Sequence, residues 1–359
     1  MDFSSAFDTV DHKLLLDKLH RYGIRGVALD LIKSYLGDRK QRVKMPSGVT
    51  SNHVSIKVGV PQGSILGPIL FVIFANDLAL HLNCVNNILV CCYADDTNIL
   101  VKSDNVDELL IKCNAIYREI VVWSNNNKLI INKNKTTIIH FRSIRSTHLE
   151  NICGISCSNS TKMLGVTIDC HLNWSEHISN TCSKLQKCCY SLRFLKNHCS
   201  KHVLLRIYHA NFHSLLRFNI LNWGTCASSS RILILQKRAI RIICGIRPRD
   251  SCKPFFKELR VLTVTDTYIY EVCCYVFKNK KLFSRNNTEH LYATRARHNF
   301  LPDSHKTALY QRRPFYNGCK LLNALPIHIK LASTLPTFKN KLKAYHLTKN
   351  SYTIDDFYL

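Results

Sequence analysis

Apolar positions recur along the chain with two periods, one near 3.6 residues and one near two. Leu14, Leu15, Leu16 and Leu19 are expected to face inward, and Asp11 before them and Gly23 after them punctuate a helix predicted over His12 to Tyr22. Gly26 to Leu36 reads as a second helix, closed by Gly37. Strand-like runs at Gln41 to Met45 and His53 to Val58 are joined by the turn Pro46-Ser47-Gly48. Gly59-Val60-Pro61-Gln62-Gly63 then breaks the chain before an apolar helix that begins near Ser64. Ile65 to Leu82 is the most apolar stretch, but Pro68, Asn76 and Asp77 lie within it, which argues for a buried helix and against a membrane span.

Beyond it, Asn87 to Cys92 and Thr97 to Val101 are β-rich runs that make Tyr93-Ala94-Asp95-Asp96 the tip of a hairpin. Leu109, Cys113, Ile116, Ile120 and Trp123 mark an amphipathic helix over Asp104 to Trp123. Strands are predicted near Leu129 to Ile131, Thr136 to Phe141 and Lys162 to Asp169. The mixture predicts an α+β fold, a sheet with helices on one face. After Trp174 the pattern turns helical, with candidates at Ser175 to Asn197, His202 to Ile220 and Ser229 to Cys244. Breaks near 172 and 283 divide the chain into residues 1–172, 173–283 and 284–359.

Charge changes this picture. The 359 residues hold 50 Lys and Arg against 24 Asp and Glu, and the excess is uneven. Residues 1–150 carry 18 basic and 14 acidic side chains, residues 151–359 carry 32 and 10. A polycationic second part attracts phosphate backbones and releases their counterions, so nucleic acid is the natural partner, with a solvated basic surface or a membrane-surface patch as the plainer reading.

Seventeen cysteines are scattered, several as adjacent pairs in apolar runs such as Cys91-Cys92, Cys188-Cys189 and Cys273-Cys274. Such pairs make a poor disulfide framework, and no signal pattern opens the chain, so they read as reduced, mostly core thiols of an intracellular protein. Cys153 with Cys157, and His198 with Cys199 and His202, have loose metal-like spacing without a matching second half and read as filler.

Two adjacent carboxylates at a hairpin tip repel and raise each other's pKa unless a cation lies beside them. Mg²⁺ suits such a site because it takes oxygen ligands and completes its shell with water and phosphates. A bare Asp-Asp pair is ordinarily a solvated turn. Here it has company. Asp2-Phe3-Ser4-Ser5-Ala6-Phe7-Asp8-Thr9-Val10-Asp11-His12, then Gly59-Val60-Pro61-Gln62-Gly63-Ser64, then Tyr93-Ala94-Asp95-Asp96 occur in order, each at a strand end or a strand-to-helix turn.

This triplet resembles motifs A, B and C of the reverse transcriptases of LINE-type, non-LTR retrotransposons, in particular the jockey-like group. Leu129-Ile130-Ile131-Asn132 with Lys135-Thr136 is similar to motif D, and Leu164-Gly165-Val166-Thr167-Ile168-Asp169 to the primer-grip hairpin. Tyr208 to Ser214 with Asn222-Trp223-Gly224 resembles the helical segment after the palm, and Thr294-Arg295 and Asn323-Ala324-Leu325-Pro326 resemble the C-terminal region.

The resemblance implies a right-hand polymerase palm, an antiparallel sheet with helices on one face, over 1–172 with partial fingers elements. A mainly helical thumb-like region over 173–283 and a basic C-terminal region over 284–359 would follow. It implies RNA-directed DNA polymerase activity with two Mg²⁺ ions (Mn²⁺ as substitute), dNTPs, an RNA template and a DNA primer, in nucleus and cytoplasm, with no membrane. Asp2, Asp95 and Asp96 become the metal-holding catalytic carboxylates with the Phe3 carbonyl as a minor ligand, ahead of Asp8 and Asp11. Phe7 takes the position that excludes the ribose 2′-hydroxyl. Pro61, Gln62, Gly63 and Tyr93 face nucleotide or template, Lys135 the pyrophosphate, and Leu164 and Gly165 the primer.

Asp2 is preceded only by Met1, whereas the family sets this aspartate near the end of a palm strand, with fingers upstream. The expectation is therefore an N-terminally truncated polymerase, and the alternative a catalytically dead nucleic-acid-binding relic. The basic helices after 174 suit a grip on phosphates, and Tyr208, Phe212 and Trp223 read as helical core in preference to stacking platforms.

Overall fold

The Asp11 carboxylate accepts the Leu14 N–H at 3.0 Å and so caps α1 (His12–Arg21), as the pattern predicts. The computed structural model describes residues 1–82, 88–144, 146–283, 299–302, 304–305 and 307–358. It divides into two compact units, residues 1–161 and 162–359. In the first, α1 packs with α2 (Val27–Leu36) and α3 (Leu66–Ala75), and Leu15, Leu19, Leu36, Phe71 and Phe74 are buried.

The predicted hairpin after α2 is present but short. β1 (Lys40–Gln41) pairs with β2 (Val54–Ser55), a single bridge joins Lys44 to Thr50, and the Pro46-Ser47-Gly48 turn closes on Met45. Both strands are exposed, so no buried face holds a longer ladder. The single buried helix expected from Ser64 is instead two, α3 and α4 (Asp77–Leu82), meeting at Asn76. One side buries Leu70, Phe71, Phe74, Leu78 and Leu82, while Ile65, Ile69, Val72 and Leu80 are exposed. Among the described residues no helix is long and apolar enough to cross a membrane.

The reason for the break is polar. Lys18 of α1 reaches across to the Phe74 carbonyl at 2.6 Å and to the Asp77 carboxylate at 2.8 Å, and the indole N–H of Trp123 donates to the same carboxylate at 3.1 Å. Asp77, the first residue of α4, thus ties that helix to α1 and to α5 (Val106–Asn126), and Lys18 adds the end of α3. Helix α5 starts from an Asn105 cap and buries Ile116, Ile120 and Trp123.

The hairpin β3 (Ile88–Tyr93) with β4 (Asp96–Val101) forms as predicted, antiparallel from Ile88↔Val101 to Tyr93↔Asp96. The strands expected near 129–131 and 136–141 do not form. Each contributes one bridge, Phe3↔Ile131 and Ile138↔Cys157. Lys128 in a left-handed conformation and the turn in which Thr136 N–H and Oγ1 bond back to the Asn132 carbonyl interrupt the ladder. Extended pieces and two-stranded sheets therefore replace one continuous sheet; β5 (Asn151–Ile152) with β6 (Ile155–Ser156), and β7 (Ser160–Met163) with β8 (Val166–Asp169), are the remaining pairs.

The second unit is mainly helical. α6 (Ser175–Leu195) is followed by α7 (Lys201–Ile207), a π-helical turn Tyr208–His213, α8 (Ser214–Arg217) and α9 (Ile220–Trp223). Then come α10 (Ser230–Cys244), α11 (Lys253–Glu258) and α12 (Val264–Lys278), and after 298 α13 (Ala308–Gln311), α14 (Pro314–Ala324), α15 (Ile327–Lys330), α16 (Leu335–Lys349) and α17 (Asp355–Tyr358). Tyr208, Phe212 and Trp223 are fully buried, the core role expected for them. Asn222-Trp223-Gly224 has a packing reason: the Trp223 indole N–H bonds the Phe218 carbonyl, and a Cβ on Gly224 would overlap the Tyr268 ring. Asp266 and His346, 3.0 Å apart and fully buried, join α12 to α16. Thr294-Arg295 lies outside the described residues.

Candidate active site

The three motifs of the first unit come together through backbone hydrogen bonds. Met1 and Thr97 exchange two, Met1 N to Thr97 O at 2.9 Å and Thr97 N to Met1 O at 3.2 Å, so the first residues run antiparallel beside β4. On the other side Ser4 N–H bonds the Ile130 carbonyl and Asn132 N–H the Asp2 carbonyl. Residues 1–3 thus lie between the Asp95-Asp96 hairpin and the Ile130–Asn132 segment.

The register decides where the carboxylates fall. With Met1 opposite Thr97, Asp2 comes opposite Asp96, and alternation puts both on the face away from buried Phe3 and Thr97. Phe3 is the non-hydrogen-bonded partner of Ile131, so its carbonyl turns from that segment towards the hairpin side. The Met1 ammonium feels both Asp96 and Asp2, whose charges oppose the downward pull of burial on its pKa. Asp95 occupies the tight turn with Ala94, whose φ of 51° is left-handed. Among the described residues no group of three or more His, Cys, Asp or Glu is close enough to hold a metal ion, which covers Asp2 with Asp95 and Asp96, Cys153 with Cys157, and the His198 cluster alike.

The donor set nevertheless suits an oxygen-seeking divalent cation: carboxylates and a carbonyl, with no thiolate or imidazole among them. A cationic group already stands there. Lys135 Nζ lies 3.4 Å from Asp2 Oδ2 while remaining largely exposed, and Thr136 Oγ1 lies 3.5 Å from Asp2 N.

The segment after β2 is locked against the one after Asp2. Gly59 N–H bonds the Val10 carbonyl at 2.7 Å, Val60 N–H bonds the Phe7 carbonyl at 2.8 Å, and His12 Nε2 lies 2.8 Å from the Gly59 carbonyl. Gln62 Nε2 donates to Asp8 Oδ1 at 2.9 Å, a side-chain bond across the two segments. Phe7 packs on Phe71 of α3 with ring centroids 4.4 Å apart and stays partly exposed. The Pro61 carbonyl accepts the Ser64 hydroxyl at 2.7 Å, Gly63 has open space where a Cβ would stand, and the Tyr93 ring is exposed. Asp11, besides capping α1, takes Lys128 Nζ at 2.7 Å, and this ion pair with the cap bond holds its carboxyl below the usual range. Leu164 and Gly165 make the left-handed turn between β7 and β8, with the Phe218 ring beside Gly165.

The pattern did not disclose the Lys18–Asp77–Trp123 hub, the Asp8–Gln62 bond or the Met1–Thr97 pairing. Only the polar interruption Asn76-Asp77 in an apolar run signalled the first.

Residues 1–168 match the reverse transcriptase (RNA-dependent DNA polymerase) family. Within that class the chain's similarity is to the jockey-like non-LTR retrotransposons. It is 29% identical over 270 residues to the RNA-directed DNA polymerase from mobile element jockey of Drosophila melanogaster, covering 70% of this chain and 29% of the relative. To the jockey polymerase of Drosophila funebris it is 30% identical over 267 residues, 70% of this chain and 29% of the relative. To the probable RNA-directed DNA polymerase from transposon BS of Drosophila melanogaster it is 29% identical over 264 residues, 68% of this chain and 28% of the relative. The chain thus spans under a third of the length of these curated relatives.

Proposed function

We propose that this chain is the palm and the following helical region of an RNA-directed DNA polymerase that copies RNA from a DNA primer with dNTPs. Residues 1–172 act as palm, 173–283 as a thumb-like region and 284–359 as a basic extension. The observation that carries the reading is the Met1–Thr97 pairing, which sets Asp2 against Asp96 on the exposed face of the hairpin.

In this reading Asp2, Asp95 and Asp96, with the Phe3 carbonyl, hold the divalent cations. Bound there, Mg²⁺ or Mn²⁺ supplies charge that activates a primer 3′-hydroxyl and steadies the leaving pyrophosphate. The chain's own groups do the rest. Phe7, braced by Phe71, bounds the sugar site and disfavours a 2′-hydroxyl. Gln62, oriented by Asp8, and the open flank of Gly63 meet template or nucleotide, with Pro61 and Tyr93 beside them. Lys135 transfers from Asp2 to the pyrophosphate oxygens, and Leu164 and Gly165 support the primer.

The test is primer extension on an RNA template with dNTPs and Mg²⁺, using the chain fused behind a fingers segment from a jockey-like relative. Extension that drops at least a hundredfold in Asp95→Ala and in Asp2→Ala is the expected result. Activity indifferent to both substitutions ends the reading.

One observation favours a second reading, a nucleic-acid-binding remnant without turnover. The three carboxylates are not gathered within reach of one cation, and Asp2 is paired with Lys135. RNA binding without extension in the fused chain selects it.

A further inference from the structure

We propose that a cavity in the second unit binds one base and its flanking phosphate of a single-stranded nucleic acid. The cavity, about 180 Å³, lies among the loop before α6, the residues around α9 and the start of α14, and is lined by Asn173, Trp174, Asn222, Thr225, Arg312 and Arg313, among others. It exceeds what one or two waters need and falls below the ~300–1,000 Å³ of sites that enclose whole drug-sized ligands. A planar ring fits this size, with the rest of the nucleotide outside.

The walls are built rather than incidental. The Asp169 carboxylate accepts the N–H groups of His171, Asn173 and Trp174 at 3.0, 3.1 and 2.8 Å and curls the loop, which holds Trp174 at a φ of 63° that a bulky residue rarely adopts. The Asn173 carbonyl accepts the Cys226 thiol at 2.9 Å, tying this wall to the next. Buried Trp223 and the tight seat of Gly224 on Tyr268 anchor that second wall, so Asn222 and Thr225 flank a rigid point.

The lining has the chemistry of a nucleotide. Half-buried Trp174 offers an indole for stacking, which is base-tolerant because every base has a π-face. Asn173 Oδ1 is taken by the Ser175 N–H, leaving its amide N–H₂ as donor, and Asn222 Nδ2 is spent on Asn219 Oδ1, leaving its Oδ1 as acceptor. Arg312 and Arg313 are exposed at the rim, and among the described residues neither is paired with a carboxylate. Arg313 also lies over the Tyr310 ring, 4.9 Å from its centroid, which fixes a guanidinium suited to phosphate.

The proposal rests on the nucleic-acid reading of the chain but not on its metal site, so the test is run in EDTA. Anisotropy of the full chain is measured with a labelled single-stranded oligouridylate and with an abasic phosphodiester of equal length and charge. The chain should bind the base-bearing strand about tenfold or more tightly, and Trp174→Leu and Thr225→Phe, one removing the stacking ring and the other filling the cavity, should erase that preference. Arg312→Ala/Arg313→Ala should weaken binding to both polymers and lower the slope of log affinity against log salt by ~0.7 for each phosphate that is no longer neutralised. Equal binding of the two polymers by the unaltered chain overturns the proposal. So does a base preference that survives in both Trp174→Leu and Thr225→Phe with unchanged thermal melting. Displacement of the strand by micromolar adenosine monophosphate reassigns the cavity to a free nucleotide and overturns it as a strand site.

Discussion

The backbone of Gly59 runs so close to that of Asp8 that a Cβ on Gly59 would stand 2.7 Å from the Asp8 carbonyl oxygen, and Gly59 itself holds a φ of 86°. Two constraints meet at this residue, a left-handed conformation and an approach too close for any side chain. Gly59→Ala should destabilise the first unit by about 2 kcal/mol or more, read from the midpoint of urea unfolding followed by tryptophan fluorescence. A loss under about 0.5 kcal/mol would show that the clamp between the two motifs yields easily.

Lys18 and Asp77 form the polar joint of the same unit. Burial pulls the Lys18 pKa down and the Asp77 carboxylate beside it pulls it back, so the pair is mutually dependent. Asp77→Ala strands the ammonium and frees the Trp123 indole N–H, and should cost about 2 kcal/mol. Lys18→Met/Asp77→Leu should recover much of that loss, because it leaves no unpaired charge. Additive losses in the double-mutant cycle would refute the coupling.

Acid should weaken the second unit through His213. Burial, reinforced by His209, Arg217 and Lys343, pushes this imidazole down to about 4. The unfolded chain then takes up the proton more readily than the folded one. Stability is full above the ordinary histidine range near 6.5 and falls as pH drops from there to about 4, by up to roughly 3 kcal/mol. His177 and His209 are shifted the same way by burial. In unfolding curves taken from pH 7 to pH 4, His213→Leu should be less pH-sensitive than the unaltered chain; equal sensitivity would remove His213 as the cause.

The thiols should separate into two reactivity groups. Cys91 and Cys92 are exposed along β3, contrary to the core position expected from their apolar run. Cys273 and Cys274 are buried in α12, and burial raises both, Cys274 to about 12. Under native conditions at pH 8 a thiol reagent should label the first pair within minutes and the second only on unfolding. Early labelling of Cys273 would mean that α12 opens locally.

The motifs, their order and most helices could be read directly because each is local. Asp11 caps α1 by a bond three residues long, and the apolar period over 104–123 is a property of one helix. Where the reading failed, distant residues decided. The strands expected at 129–131 and 136–141 needed partners along their length and have one bridge each. The apolar run after Ser64 was expected to be one buried helix, and it breaks where Asp77 turns to meet Lys18, 59 residues earlier.

The sequence by itself determined that a carboxylate pair stands at a hairpin tip, because alternation of apolar and polar residues and a two-residue turn require only neighbours. Only the tertiary structure decided which carboxylate faces that tip. Two hydrogen bonds between Met1 and Thr97 set a register, and shifting it by one residue would carry Asp2 to the buried face and Phe3 out of the core. Backbone pairing between segments 96 residues apart has no signature in either segment alone.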